Sequence, residues 1–429
     1  MGWLVFSAMS PAYPSAWLLF GLMFAMAAAH FLSLPWHRLA TVAIYSVPVV
    51  WCLIILRDRI GLLSKLNGID VGFAAFVLAV LISATFLPGP DENGAVSKYI
   101  RFLPFMMITP YMLGRLMDLP DLDLFARITL FAGLALLPLL VFDRLSAAER
   151  AWRLPIFGLD HGPLLVGGLL APLLLALCVR VLDRQQTSTK NHTQWPLIWL
   201  GLTGLVTVFL VLLMARGWVI ASMAGVAVVS LSMYTRPLAL RAGLFAYVVA
   251  VVALTLAVLP ASSFYSLILT APAPAPVTEF CPILGEASCQ PFRDGVNSVA
   301  IRWVMYREAA TMFIDNPVWG VGAARFGECS CTGPGWYPHS TILQGLAELG
   351  MVGGGLLLGL FVFAAVTLVR PLMAARQGEN EPTHAFVLAL FAVFLAIDQV
   401  YGNYFMAAGT WLMLGIAASL RAHAGGVEP

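Results

Sequence analysis

Residues 339–369, HSTILQGLAELGMVGGGLLLGLFVFAAVTLV, decide what kind of protein this is. Between His339 and Arg370 the sole formally charged side chain is Glu348. A bilayer core about 30 Å thick is crossed by roughly 20 apolar residues in a helix, so this run is long enough to span. Outward from it, apolar runs recur at about 14–33, 39–56, 69–87, 99–114, 124–142, 162–179, 196–214, 217–233, 242–260, 384–399 and 404–420. The whole chain of 429 residues is 60% hydrophobic and 11% charged. A soluble domain carries about 25% charged residues, and its core could not hide this much apolar surface. Lipid is the natural solvent, and in lipid an unpaired backbone favours helices. The expected fold is an all-α integral membrane protein with about twelve transmembrane helices. Residues 14–33 are read as the first of them, not as a cleaved signal peptide, because no Lys or Arg precedes the run.

One stretch interrupts the pattern. Residues 261–338 are long, polar and rich in Pro, Gly and Cys. The organisation read from this is helices 1–9 over 1–260, an external loop over 261–338, and helices 10–12 over 339–429. Orientation follows from Lys and Arg. With both termini inside, thirteen of these residues lie on inner loops and seven on short outer loops, once the four on the long loop are set aside. Both termini are therefore expected in the cytoplasm. The positive charge that stays outside despite this bias suggests an anionic ligand there. A net charge of +2 gives no case for nucleic-acid binding.

The long loop holds Cys281, Cys289, Cys329 and Cys331. In an oxidising compartment these suggest two disulfides in one of three pairings. A zinc site is the competing reading, weakened by the missing CxxC spacing. Cys52 and Cys178 lie in apolar runs and read as small core residues. A Pro-Ala run at 271–276 should be extended and stiff. From Asn297 to Asp315 the spacing predicts a helix, with Ile301, Met305, Ala309 and Met312 on one face. Arg302 and Tyr306 share a neighbouring face, with Arg307 further round. Asn316-Pro317 stops the helix, and Gly320 and Gly322 mark a turn whose backbone approaches something closely.

These residues carry a specific resemblance. Arg302-x3-Tyr306-x9-Asn316-Pro317-x2-Gly320-x-Gly322, followed by His339-x4-Gln344-x3-Glu348-x-Gly350, resembles the motifs of the O-antigen ligase and polymerase family. Ala215-Arg216-Gly217 is similar to the family's Ser-Arg-Gly at an outer helix end. Tyr306 stands where the family carries Trp, and Ser340 where it carries Asn. The close match covers about 50 residues, and the helix count and loop position extend it over the chain. The resemblance implies a GT-C-like membrane glycosyltransferase of a bacterial inner membrane, with its active site on the periplasmic side. It implies transfer of a glycan from undecaprenyl diphosphate-linked O-antigen to an acceptor hydroxyl, with lipid A-core as the favoured acceptor. An O-antigen polymerase or a protein O-oligosaccharyltransferase of the same family is the alternative. A lipid-linked glycan transporter is the alternative of another class, disfavoured because no internal repeat is visible and the cations cluster on one side.

The chemistry asks for two things. A leaving diphosphate must be held and stabilised, and the acceptor hydroxyl must lose a proton. No Asp-x-Asp metal motif is visible in the outer loops, so no metal or other cofactor is expected. Arginines would then stabilise the diphosphate, since guanidinium is always charged and binds phosphate oxygens bidentately. Arg216 and Arg302 are the candidates. Lys98 and Arg101, three residues apart on one face, could add a phosphate contact or simply anchor at the membrane surface. Tyr306 and Arg307 complete the expected substrate-binding set. His339 is the candidate base. Nearby arginines and a positive helix end, begun by a capping box at Thr341 and Gln344, would keep its imidazole neutral. It could instead orient the acceptor or bind phosphate. Glu348 is read as a structural contact between helices, and Gly353-Gly354-Gly355 as a site of close helix packing. Nothing in the sequence weighs for Asp398 or Tyr401 as substrate contacts.

Overall fold

The computed structural model describes residues 49, 52–53, 65–86, 100, 103–146, 162–184, 194–213, 216–258, 298–330, 337–374, 381–405 and 407–424. The run at 14–33 and most of that at 39–56 lie outside these residues. So do Lys98, Arg101, Cys281, Cys289 and Cys331.

Among the described residues every regular element is helical. The elements are α1 (Gly68–Phe86), a π-helical turn (Pro104–Ile108) leading into α2 (Thr109–Arg115), α3 (Leu119–Ser146), α4 (Gly162–Arg184), α5 (Gln194–Leu212), α6 (Arg216–Ser232), α7 (Leu238–Val258), α8 (Ser298–Asp315), α9 (Phe326–Cys329), α10 (Thr341–Ala374), α11 (Glu381–Asp398) and α12 (Ala408–Ala424). Five stretches are long and apolar enough to cross a membrane: Gly68–Phe86, Val166–Asp183, Leu238–Val258, Thr341–Pro371 and Glu381–Asp398. Leu197–Leu212 and Arg216–Ser232 are shorter apolar helices. The chain is a helical membrane protein by these features. Many large apolar side chains point outward, among them Leu78 and Phe86 on α1 and Leu254 and Val258 on α7, as lipid-facing helices require.

The core sits where α4, α6 and α11 pack, and where α1, α2, α10 and α12 pack. Phe73 stacks on Tyr111 at 3.8 Å between ring centroids, and Phe76 stacks on Trp411 at 5.5 Å. Local sequence explains the start of α1. Asn67 Oδ1 accepts the Ile69 N–H at 3.0 Å, and Asp70 Oδ2 accepts the Asn67 N–H at 2.9 Å, a reciprocal cap. Asp70 also holds Arg115 Nε at 2.9 Å and the Tyr111 hydroxyl at 2.7 Å, joining α1 to α2. On another side of the bundle Arg236 pairs with Asp183 at 3.0 Å, and the Thr235 hydroxyl donates to Glu381.

The helix expected as one span over 339–369 is two. Gly350 has φ 61° and ψ −157°, which no helix contains. The upper leg, Thr341 to Gly350, folds back on the lower. A side chain added at Gly354 would meet Leu346 backbone at 2.8 Å, and one at Gly345 would meet Leu357 at 2.9 Å. In a straight helix residues 346 and 354 would be about 12 Å apart. The contacts of Gly353 and Gly354 are therefore with Leu349 and Leu346 of α10 itself. Gly353 and Gly354 thus serve close packing, between the two legs of α10, whereas a side chain at Gly355 would meet nothing within 4 Å.

Candidate active site

The loop helix α8 is built from the inside out. Met305, Ala309 and Met312 bury one face against Phe326 and Ala347, with Ile301 at the edge of the cluster. The helix closes with the Asn316 N–H on the Met312 carbonyl at 3.0 Å, before Pro317. The segment that follows is spliced into the break of α10. Val321 and Gly322 donate backbone N–H groups to the carbonyls of Ala347 and Glu348, both at 2.9 Å. In return Met351 N–H reaches the Pro317 carbonyl at 2.8 Å, and Val352 N–H that of Val318 at 3.3 Å. The backbone groups that the break orphans thus find partners in the turn. Both segments need glycine there. Gly320 has φ 69°, and an added Cβ would strike the backbone of Glu348; one at Gly350 would strike that of Val318.

Glu348 locks the splice. Its buried carboxylate accepts the N–H of Ala324 at 2.8 Å, that of Phe326 at 3.2 Å, Gln344 Nε2 at 3.2 Å and the Tyr404 hydroxyl at 2.6 Å. The expected contact between helices reduces to Phe326 at the start of α9; Ala324 belongs to the loop and Tyr404 to the turn between α11 and α12.

The upper leg carries His339 at its head. His339 is held at φ 55°, a left-handed conformation that residues other than glycine take rarely. Its ring lies 4.4 Å from that of Tyr337. Burial, and next the Arg302 guanidinium, push its imidazole down from 6.5 to about 4. At neutral pH it is therefore uncharged. The helix behind it is capped by Ser340, whose Oγ accepts the Leu343 N–H at 3.3 Å. This corrects the capping box read at Thr341 and Gln344. The Thr341 hydroxyl donates instead to the Asp398 carbonyl at 3.1 Å, and Gln344 accepts the Tyr404 N–H at 3.3 Å. Ser and Asn are both strong N-caps, which explains why serine can stand at 340.

The turn after α11 gathers the rest. Gln399 Oε1 accepts from the Ser340 hydroxyl at 2.8 Å and from Ile342 N–H at 3.4 Å. The Gln399 carbonyl accepts the Tyr306 hydroxyl at 2.9 Å. Arg302 lies over the Tyr401 ring, 4.9 Å from its centroid, a cation–π contact. The same ring packs on Gly217, where any side chain would collide with it. Tyr401 therefore stands between Arg302 and the start of α6, where Arg216 is half-buried. Burial pushes the phenols of Tyr306 and Tyr337 up, against a lowering by Arg302, so both remain protonated donors.

Of the residues singled out from sequence, Arg302, Tyr306 and His339 meet at this turn, and Arg216 reaches it through Gly217 and Tyr401. Arg307 does not join them and faces outward from α8. Lys98 and Arg101 lie outside the described residues. Gln399, Tyr401 and Tyr337 were not selected beforehand. Gln399 meets Tyr306 from 93 positions away, and Tyr401 meets Arg302 and Gly217 from further still, so no local pattern announces these contacts. Among the described residues no group of three or more His, Cys, Asp or Glu side chains stands ready to hold a metal ion.

Comparison with curated proteins gives no match. A family model described as O-antigen ligase matches residues 201–358. That stretch begins in α5 and ends in the lower leg of α10, so it holds Arg216, Arg302, Tyr306, His339 and the whole splice from Pro317 to Gly350. Residues 201–358 match an O-antigen ligase family domain, which supports the O-antigen ligase and polymerase family for this part of the chain.

Proposed function

We propose that this protein is an O-antigen ligase of a bacterial inner membrane, transferring a glycan from undecaprenyl diphosphate to a sugar hydroxyl of lipid A-core on the periplasmic side. Enzymes of the family are glycosyltransferase-like ligases and polymerases of such glycans, which supports the reaction class. The observation that carries the roles is the convergence of an uncharged His339, Arg302 and Tyr401 beside the Arg216–Gly217 helix start. Arg302 Nε is buried and makes no hydrogen bond among the described residues, so a donor is available for an anion.

In this reading the acceptor hydroxyl gives its proton to the neutral imidazole of His339. The acceptor oxygen forms a bond to the anomeric carbon as the bond from that carbon to the diphosphate oxygen breaks. The electron pair leaves with undecaprenyl diphosphate. Arg216 and Arg302 stabilise the charge that grows there, and Tyr306 and Tyr401 hold Arg302 in place. Lys98 and Arg101 would add contacts to the donor head group.

Reconstitution with defined lipid-linked glycan and lipid A-core, in the presence of chelator, tests the reading. Transfer should proceed without added metal, and His339→Ala and Arg216→Ala should each abolish it at normal expression. Normally ligated lipopolysaccharide from either variant would overturn the roles. Elongation of the lipid-linked glycan in place of transfer to lipid A-core would identify a polymerase.

A further inference from the structure

The two legs of α10 differ in what they show to the outside. From Thr341 to Gly350 no residue is exposed. Below the fold one face opens at once, with Met351, Leu358, Val362 and Val366 exposed at spacings that keep them on one side. This is the lipid-facing row of a membrane-spanning helix. It does not stop at Met351. The hydrogen bonds of Met351 and Val352 to Pro317 and Val318 carry it onto the spliced turn. There Val318 and Trp319 stand 52% and 58% exposed, and the row continues on α8 with Ile314 at 71% and Trp303 at 60%. Trp303 and Ile314 are eleven residues apart, about three turns, and so lie on one line along the helix. Exposed Arg307 lies beside that line.

We infer that α8 and the Pro317–Gly320 turn lie on the bilayer surface, with Trp303, Ile314, Val318 and Trp319 seated in the leaflet from which α10 emerges at Gly350. The occupant of this apolar face is lipid, because the face is continuous with one that a spanning helix already presents to lipid. The lower leg, residues 351–371, is about 31 Å long at 1.5 Å per residue, the thickness of a hydrocarbon core. The fold at Gly350 thus falls at the hydrocarbon boundary. Tryptophan prefers that boundary, and an arginine beside an apolar stripe reaches head-group phosphate from it. Arg307 is then a lipid contact on the outward face of α8, while Arg302 faces the site.

The full chain in nanodiscs tests this directly. It has twelve tryptophans, so the emission of Trp319 is read as the difference between the unaltered protein and Trp319→Phe, and that of Trp303 likewise from Trp303→Phe. Phenylalanine keeps the apolar contact and the fold, and the two variants read the surface independently. Lipids brominated in the upper acyl chain should remove most of the difference emission, and aqueous iodide little of it. Iodide quenching without bromolipid quenching would place the residues in water and overturn the proposal. Quenching by neither, together with a dimer on native mass spectrometry that Trp319→Phe dissociates, would show a protein interface and overturn it equally.

Discussion

The upper and lower legs of α10 belong to one uninterrupted apolar run, yet they are built to opposite rules. The lower leg is a lipid-solvated helix with glycines at Gly355 and Gly359 that meet open space. The upper leg is sealed within protein. Its polar side chains Thr341, Gln344 and Glu348 are almost wholly buried and answered by α11, the Tyr404 segment and the spliced loop. Hydropathy sees a single long span. Polar bookkeeping separates the two legs, because a buried carboxylate demands donors that only a folded-in loop can bring. His339, the proposed base, heads the sealed leg.

The strongest way to break this contrast is to remove the carboxylate. Glu348→Ala leaves four donors without their acceptor, each costing about 1–3 kcal/mol when buried. A single substitution of that kind ranks among the largest seen, above about 4 kcal/mol, and native stability is only about 5–15 kcal/mol. Little folded protein should survive size-exclusion chromatography in detergent. Glu348→Gln keeps an acceptor oxygen and should fall between the two. A Glu348→Ala protein with an unchanged Tm would show that the loop is held by other means.

Next in size is a pair of glycine substitutions with opposite expected signs. Gly350→Ala forces a side chain into a backbone region that glycine alone occupies, at about 1–3 kcal/mol, and against the Val318 backbone besides. Its Tm should fall and transfer with it. Gly359→Ala lies in regular helix with nothing to strike, and replacing a helical glycine stabilises by about 0.5–1 kcal/mol. Thermal melts of the two in the same detergent sharpen the comparison. Equal losses would mean that the legs do not differ as described.

Much of this was legible in advance, and the part that was not has a common cause. Apolar runs marked the helices because lipid exposure leaves a strong compositional trace. The motif residues Arg302, His339 and Arg216 were visible through a known pattern. The fold at Gly350 was not, since a lone glycine in an apolar run is ordinary and its φ is set by a turn 30 residues earlier. Glu348 was readable as a buried acid needing a partner, but not which partner. Tyr401 and Gln399 were hidden because their contacts cross the chain, to Arg302 and Ser340, and nothing in their neighbours encodes the meeting.

The titration of His339 gives a smaller, directional effect. Its imidazole is held at about 4 mainly by burial and secondly by Arg302. A base that stays neutral to that value should show no inflection in the rate of transfer near 6.5. Arg302→Gln removes the second cause only, so in its residual activity the acid limb should move up yet remain below 6.5. The linkage has a sign as well. The unfolded chain takes up the proton first, so this contribution to stability is complete above about 6.5 and is lost as pH falls toward 4. Tm measured across that window follows it, and a wild-type inflection at 6.5 would mean that His339 is solvated.

The smallest effect expected concerns Ser340. As the N-cap of the sealed leg its hydroxyl both accepts from Leu343 N–H and donates to Gln399. Ser340→Ala loses the cap, at about 1 kcal/mol, and leaves Gln399 one donor short. Ser340→Asn restores a capping oxygen, and its amide N–H can take the place of the hydroxyl donor to Gln399. Tm should therefore drop modestly in the alanine variant and return in the asparagine variant, with transfer following the same order, because His339 is the adjacent residue and its strained backbone depends on a fixed helix start. If asparagine were worse than alanine, residue 340 would be acting through its size beside His339, and the sealed leg would owe its start to the Thr341 contact with Asp398.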